Sequence, residues 1–246
     1  MKKNSCTIYF LMFVIFIVSA CRKTSTSQTA ELTDYLQLQL GKTITYRLDS
    51  TNFIFPGTVE TTTSYLAKDV VDTLITDSLG RLSWHISRYV TDTAQSQPWT
   101  ILETYLITPT GQTVEFVENN LRYIRLSSPL RNGFSWQGNS LIDTYSSDYN
   151  YLSGWNYTYD SIGSSYNVIA GNIPNAFVVQ QENSFIGDTT NSTEFSEKEY
   201  SAEVYAKGIG LIYKDFLYWQ YQPPNSEINA GYRTGYGIRL NMISHN

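Results

Sequence analysis

The sequence predicts an all-β domain: a single antiparallel, strongly curved sheet or half-barrel, with a β-sandwich as the alternative and at most a short N-terminal helix. Three observations carry this. Apolar and polar residues alternate with period two through most of the chain after Lys42, as in strands with one buried face. Gly, Pro, Asn and Asp signals separate these runs at short intervals, which favours hairpins over βαβ units. The chain also holds 20 Tyr, 11 Phe and 5 Trp, residues that suit strands and fill cores.

The chain opens outside that domain. Lys2-Lys3 leads into an apolar run from Ile8 to Val18, then Ser19-Ala20-Cys21. A basic start, a short apolar core and small residues mark a secretory signal. The run is too short to span a bilayer, which takes ~20 apolar residues. Val18-Ser19-Ala20-Cys21 resembles the lipobox of bacterial lipoproteins. That resemblance implies a signal peptide over 1–20, cleavage before Cys21, and lipid on its sulfur and new amino group. Residues 21–30 then form a Ser/Thr-rich tether, and 31–246 a single β-rich domain. Arg22 follows the cysteine where an Asp would suggest inner-membrane retention, so the outer membrane is expected.

In chain order, Leu32, Leu36 and Leu40 have helical spacing and predict a short turn over 34–40. Ile44, Tyr46 and Leu48 face one way and Thr45, Arg47 and Asp49 the other, a half-buried strand. Pro56-Gly57 turns the chain. Residues 58–75 read as two strands. Asp77–Gly80 is a turn, after which Leu82, Trp84 and Ile86 alternate with Ser83, His85 and Ser87. Strands follow at 99–107, 113–117 and 121–126. From Asn132 to Glu197 there is no Lys or Arg but much Tyr, with Trp155, Tyr157 and Tyr159 on one strand face. Phe177–Gln181 forms another strand. In 199–207, Tyr200, Ala202, Val204 and Ala206 form an apolar face, opposite Glu199, Ser201, Glu203 and Tyr205. Gly208 and Gly210 then mark a bulge, bend or close approach. Strands over 211–221 and Tyr236–Met242 close the chain.

The stretch Tyr35–Tyr46 looks like the opening of many uncharacterised gram-negative envelope lipoproteins. Glu203-Val204-Tyr205-Ala206-Lys207-Gly208-Ile209-Gly210-Leu211-Ile212-Tyr213-Lys214 is similar to their late-strand signature. Phe134-Ser135-Trp136 and Trp155–Tyr159 are similar to their middle strands. Ile44 departs from the pattern, where Trp is frequent. The resemblance implies a shared fold and an envelope location, and no catalytic residue. The half-barrel rests partly on analogy with periplasmic lipoprotein-handling folds.

Composition limits the chemistry. Loss of Lys2 and Lys3 with the signal leaves 15 basic against 22 acidic residues, a net charge of about −7. That argues against nucleic acid and against a polybasic lipid contact. Cys6 leaves with the signal and Cys21 would be a thioether, so no disulfide, thiolate or cysteine metal ligand is expected. No metal-ligand or phosphate-binding motif occurs, and no cofactor is expected. His245 is expected to fray. His85 lies beside Ser83 and Ser87, where a Ser–His pair is conceivable but an ordinary strand histidine is favoured.

Two functional expectations follow. The first is a non-enzymatic binding or interaction module for an apolar or amphipathic ligand, or for an envelope partner. Its lining is drawn from Trp155, Tyr157, Tyr159 and Trp219. The second is a glycan-directed hydrolase using Glu197, Glu199 and Glu203 on one strand face, against the plainer reading that these acids are solvated.

Overall fold

The computed structural model describes residues 31–246. The expected signal peptide, the lipid-bearing Cys21 and the tether to residue 30 lie outside the described residues. Twelve strands follow a 3-10 turn at Leu32–Tyr35: β1 (Thr43–Phe53), β2 (Glu60–Thr76), β3 (Leu82–Asp92), β4 (Thr100–Pro109), β5 (Thr113–Glu118), β6 (Leu121–Ser127), β7 (Ser135–Gln137), β8 (Asn156–Val168), β9 (Gly171–Ile186), β10 (Ser196–Ala206), β11 (Gly210–Gln222) and β12 (Tyr232–His245).

They form one antiparallel sheet in the order β6-β5-β4-β3-β2-β1-β12-β11-β10-β9-β8-β7. Each strand therefore pairs with its sequence neighbours, except where β1 meets β12 and where the sheet ends at β6 and β7. Those two ends come together, curling the sheet into a nearly closed barrel. Ile124 N–H donates to Gly138 O at 2.8 Å, and Trp136 Nε1 donates to Ile124 O at 2.7 Å. The Tyr159 hydroxyl accepts from Ser127 N–H and donates to Ser127 O, both at 2.9 Å. Most of the edge exposure that an open sheet would suffer is thus removed.

The period-two alternation places Tyr46, Leu48, Ala67, Ile212, Leu240 and Met242 in a buried core around the β2-β1-β12-β11 staves. On the other face of β10, Val204 and Ala206 belong to the same packed cluster as Ala176, beside Val178, and Tyr166 and Ile173 of the long β8–β9 hairpin pack against it. The hairpin tip is tied to β12 through Ile169 N–H to Asn241 Oδ1 and Ala170 N–H to Met242 O.

One end of the barrel is closed by the chain before β1. Tyr35 is buried and packs edge-on against Phe177, with ring centroids 4.6 Å apart. Gly208 N–H donates to Asp34 O at 2.7 Å. Gly210 has φ +114°, and a Cβ there would sit 3.3 Å from Ile44 Cδ1 and 3.6 Å from Gln37 N. The glycine bend thus gives room for this plug, and Gly208, at φ +74°, needs its left-handed backbone for the turn itself.

Four local expectations are corrected. The N-terminal turn is shorter and earlier than 34–40, with Leu32 and Leu36 buried but Leu40 exposed. Residues 60–76 are one strand, because no turn residue interrupts them; a register shift between Val71 and Thr73 leaves Asp72 unopposed, as in a bulge. Leu82, expected on a buried face, is exposed at the strand start. His245 pairs with Ile44 at the end of β12.

Candidate functional site

The barrel interior is not uniformly apolar. Asp69, Arg88, Glu103, Glu118, Arg125, Glu203 and Lys214 occupy positions that share the inward face of their strands with Ala67, Ile86, Tyr105, Phe116, Tyr123, Tyr205 and Ile212. Arg88 donates to Asp69 through Nε at 2.6 Å and through its NH2 nitrogen at 2.7 Å, and its NH1 nitrogen lies 2.6 Å from Glu103. Arg125 bridges Glu203 at 2.6 Å and Glu118 at 2.8 Å. Lys214 lies 3.6 Å from both Glu118 and Glu203. Tyr105 donates to Asp69 at 2.9 Å and Tyr205 to Glu203 at 2.8 Å. Four carboxylates thus meet three cations.

Charges in such a place persist only when paired, because leaving water costs each ion several kcal/mol. Burial opposes the charge of Glu118, but Lys214, Arg125 and Arg88 bring its pKa down to about 2. Burial raises Glu103 against the pull of Arg88. For Arg125, burial works against the proton while Glu203 and Glu118 hold it on, so the guanidinium stays charged.

The network lies between two cavities. Under the N-terminal plug is a small apolar one of about 60 Å3, where Asp69 and Tyr105 meet Leu36, Ile44 and Ile107. On the other side is a cavity of about 360 Å3, whose floor is Glu103, Glu118, Arg125 and Lys214. Its walls include Trp155, Tyr157, Phe216 and Ile238, and Leu102 and Tyr236 are solvent-exposed lining residues. Tyr157 donates to Asn139 Oδ1 at 2.9 Å. Its ring occupies the space a Cβ at Gly138 would need, so that glycine lets the wall close.

Of the aromatic residues singled out from sequence, Trp155 and Tyr157 line this cavity and Tyr159 and Trp219 do not. Tyr159 is used at the barrel seam, against Trp136 at 4.5 Å and Phe177 at 5.2 Å between ring centroids. Trp219 pairs with Lys198, whereas its neighbour Tyr218 pairs with the inward Glu199. It therefore faces away from the cavity, where Arg233 covers it at 4.3 Å.

The three strand carboxylates are not solvated: Glu197, Glu199 and Glu203 are all buried. They also divide. Glu203 belongs to the ion network, held by Arg125. Glu197 and Glu199 line a separate recess of about 410 Å3 with Asn150, Tyr151, Ser184 and Gln220. Gln220 Nε2 donates to Glu197 at 2.5 Å. Trp155 Nε1 is shared between Tyr151 O at 2.8 Å and Glu199 Oε2 at 3.1 Å. Burial pushes Glu199 up to about 7; the Trp155 N–H opposes the rise, and the nearby Glu197 and Glu182 add to it.

His85 and Ser87 do not form a catalytic pair. Both bond to Asp72, His85 Nδ1 at 3.0 Å and Ser87 through its hydroxyl. In a triad the histidine stands between serine and acid; here the acid stands between the other two.

Arg88, Glu103, Glu118, Arg125 and Lys214 are not among the site residues expected from the sequence. A signal for them exists: each falls at an apolar-parity position of its strand, as Arg88 does with Ile86 and Lys214 with Ile212 and Phe216.

No family model and no curated protein sequence matches the chain. Among solved structures, it is similar to the 2.22 Å crystal structure of a Bacteroides fragilis NCTC 9343 protein described as exported, with a YmcC-like fold. The two are 12% identical, with a TM-score of 0.40 over 85% of this chain and 96% of that one.

Proposed function

We propose that the chain is a lipid-anchored lipoprotein of the bacterial cell envelope, held at the outer membrane through Cys21. Its barrel binds an amphipathic ligand without turning it over. The observation that carries the binding reading is the cavity of about 360 Å3, with an aromatic and aliphatic wall facing a charged floor. That volume falls in the ~300–1,000 Å3 range of small-molecule sites. A wholly apolar ligand, one arm of the sequence expectation, would bury Glu118, Arg125 and Lys214 under hydrocarbon. An amphipathic one meets both surfaces. The floor charges neutralise one another, which suits recognition better than proton transfer.

The anchor rests on the lipobox resemblance of Val18–Cys21. A Cys21→Ala chain is expected to leave the membrane fraction, and a processed variant retained like wild type would refute the anchor. The cavity is tested by native mass spectrometry of protein purified from its own envelope. A retained small molecule is expected; a bare protein mass would count against the reading.

Glu199 favours a second reading. A carboxyl with a pKa of about 7 beside another carboxylate is the pairing that acid-assisted glycoside cleavage uses. Turnover of a chromogenic glycoside that is lost in Glu199→Gln, while ligand retention is unchanged, would put hydrolysis ahead of binding. Glu203 has no part in that reading, since Arg125 and Tyr205 occupy its oxygens.

A further inference from the structure

We infer that the Glu197–Glu199 recess binds a small organic ammonium ion, at a site separate from the barrel cavity and whatever that cavity holds. The buried carboxylates of the described residues divide into two kinds. Asp69, Glu115 and Glu203 are each met by arginine: Arg88, then Arg81 with Arg122, then Arg125. Glu197 and Glu199, 8% and 9% exposed, form no salt bridge among the described residues. Their contacts are neutral: Gln220 and Tyr218 beside Glu197, Trp155 and Ser184 beside Glu199. The surrounding chain offers no cation either. The Lys- and Arg-free stretch from Asn132 to Glu197 supplies Asn150, Tyr151 and Ser184 to the recess. Lys198, between the two acids, faces the other side of β10 and lies over Phe185 at 5.3 Å. Buried carboxylates are ordinarily paired, so this pair is short of a positive charge.

An oxygen is open to receive it. Trp155 Nε1 and Ser184 Oγ both donate to Oε2 of Glu199. Glu199 Oε1 accepts no hydrogen bond, and it is not one of the polar atoms sealed without a partner, so it is accessible from the recess. Tyr151 lines the same space, its ring stacked on Tyr218 at 4.5 Å between centroids, and aromatic rings attract cations. Ile186 adds an apolar wall for a carbon skeleton. A metal ion is served less well. Among the described residues no three His, Cys, Asp or Glu side chains converge, whereas calcium takes about six to eight oxygens. An ammonium brings only three donors. Without a ligand the missing charge is supplied by a proton. Burial holds that proton on Glu199 up to about 7. The titratable groups facing it are Glu182 on β9, Glu197 on β10, Tyr218 on β11 and Tyr151 before β8, none of them a cation. A bound ammonium takes the place of the proton, which leaves to solvent.

The test uses the full chain in dodecyl maltoside, an uncharged detergent, at constant ionic strength. Binding is read by titration calorimetry and by tryptophan emission, since Trp155 touches Glu199. The probes are n-pentylamine and cadaverine, charged at both pH 6 and pH 8, with n-pentanol as the neutral isostere and calcium chloride as the metal. Glu199→Gln removes the charge at equal size. Asn150→Lys sets an amine at the recess from an exposed position, and keeps the test decisive if the first variant fails to fold. The expected result is amine binding at pH 8 that is about tenfold weaker at pH 6, because the Glu199 proton must leave. It should be about tenfold weaker in Glu199→Gln and lost in Asn150→Lys. Equal affinity at the two pH values would remove Glu199 from contact and overturn the inference. Pentanol binding as tightly as pentylamine overturns the need for charge. Calcium binding that excludes the amines makes this a metal site and overturns the organic cation. Amine binding untouched by both variants places the amine elsewhere, and no amine binding leaves the acids unmet; either result overturns the inference. None of these outcomes bears on the barrel cavity, whose own test is the ligand retained by the purified protein.

Discussion

Arg125→Met is the sharpest probe of the barrel interior. The guanidinium is almost fully buried and holds Glu203 at 2.6 Å and Glu118 at 2.8 Å. Methionine keeps the length of the side chain and removes the charge, leaving four carboxylates to Arg88 and Lys214. Breaking a buried pair from one side costs about 3–5 kcal/mol, because the remaining ion keeps its desolvation penalty. Lys214, 3.6 Å from both acids, holds the loss towards the lower end. In a domain of this size each kcal/mol moves the melting temperature by about 2–4 °C, so a fall of roughly 6–20 °C is expected. The sign with pH is distinctive. In the wild type Glu118 is lowered from 4.5 to about 2. Its contribution is complete above pH 4.5 and is lost as pH falls towards 2. In the variant an uncompensated buried carboxylate titrates above its unfolded value. It destabilises at neutral pH and is relieved as it takes up a proton. Urea unfolding at pH 7.5 and 5.0 should therefore show a deficit that narrows on acidification. A variant within about 0.5 kcal/mol of wild type at pH 7.5, or a deficit that widens at pH 5.0, would refute the network as described.

Two further outcomes are expected. Gly208→Ala and Gly210→Ala should each lower stability by about 1 kcal/mol, since both glycines have positive φ. Gly210→Ala should lose more, because its Cβ also meets Ile44; equal, unchanged thermal midpoints would show that the bend needs neither glycine. Glu199, raised from 4.5 to about 7, disfavours the folded state increasingly as pH rises through that window. Glu199→Gln should therefore gain stability relative to wild type between pH 5 and 8, and should abolish a change in Trp155 emission with a midpoint of about 7. A wild-type emission flat across that range would remove the basis for this expectation.

Much of the sheet was legible because alternation is a local property. The parity of Tyr46 and Leu48 is set by two successive bonds, and the structure buries both. Turns at Pro56-Gly57 and Asp77–Gly80 were readable for the same reason: their residues prefer those backbone angles in any context. The fusion of residues 60–76 into one strand was not legible, since a bulge at Asp72 looks in sequence like a break in the pattern. The candidate site divided in the same way. Trp155 and Tyr157 were found from their shared face; Trp219 was misplaced because a strand face can be identified without knowing which side the barrel closes upon.

What the sequence alone determined is the all-β class, the hairpin order and the parity of each strand, all consequences of short-range sterics and apolar periodicity. What the tertiary structure decided is which parity became the inside. The meeting of β6 with β7 and β8 turned a curved sheet into an enclosure, and only an enclosure makes the charges of separate strands neighbours. Arg125 and Glu203 are 78 residues apart and 2.6 Å from each other. That contact depends on the curvature of all the strands between them, a global quantity that no local pattern in the chain records.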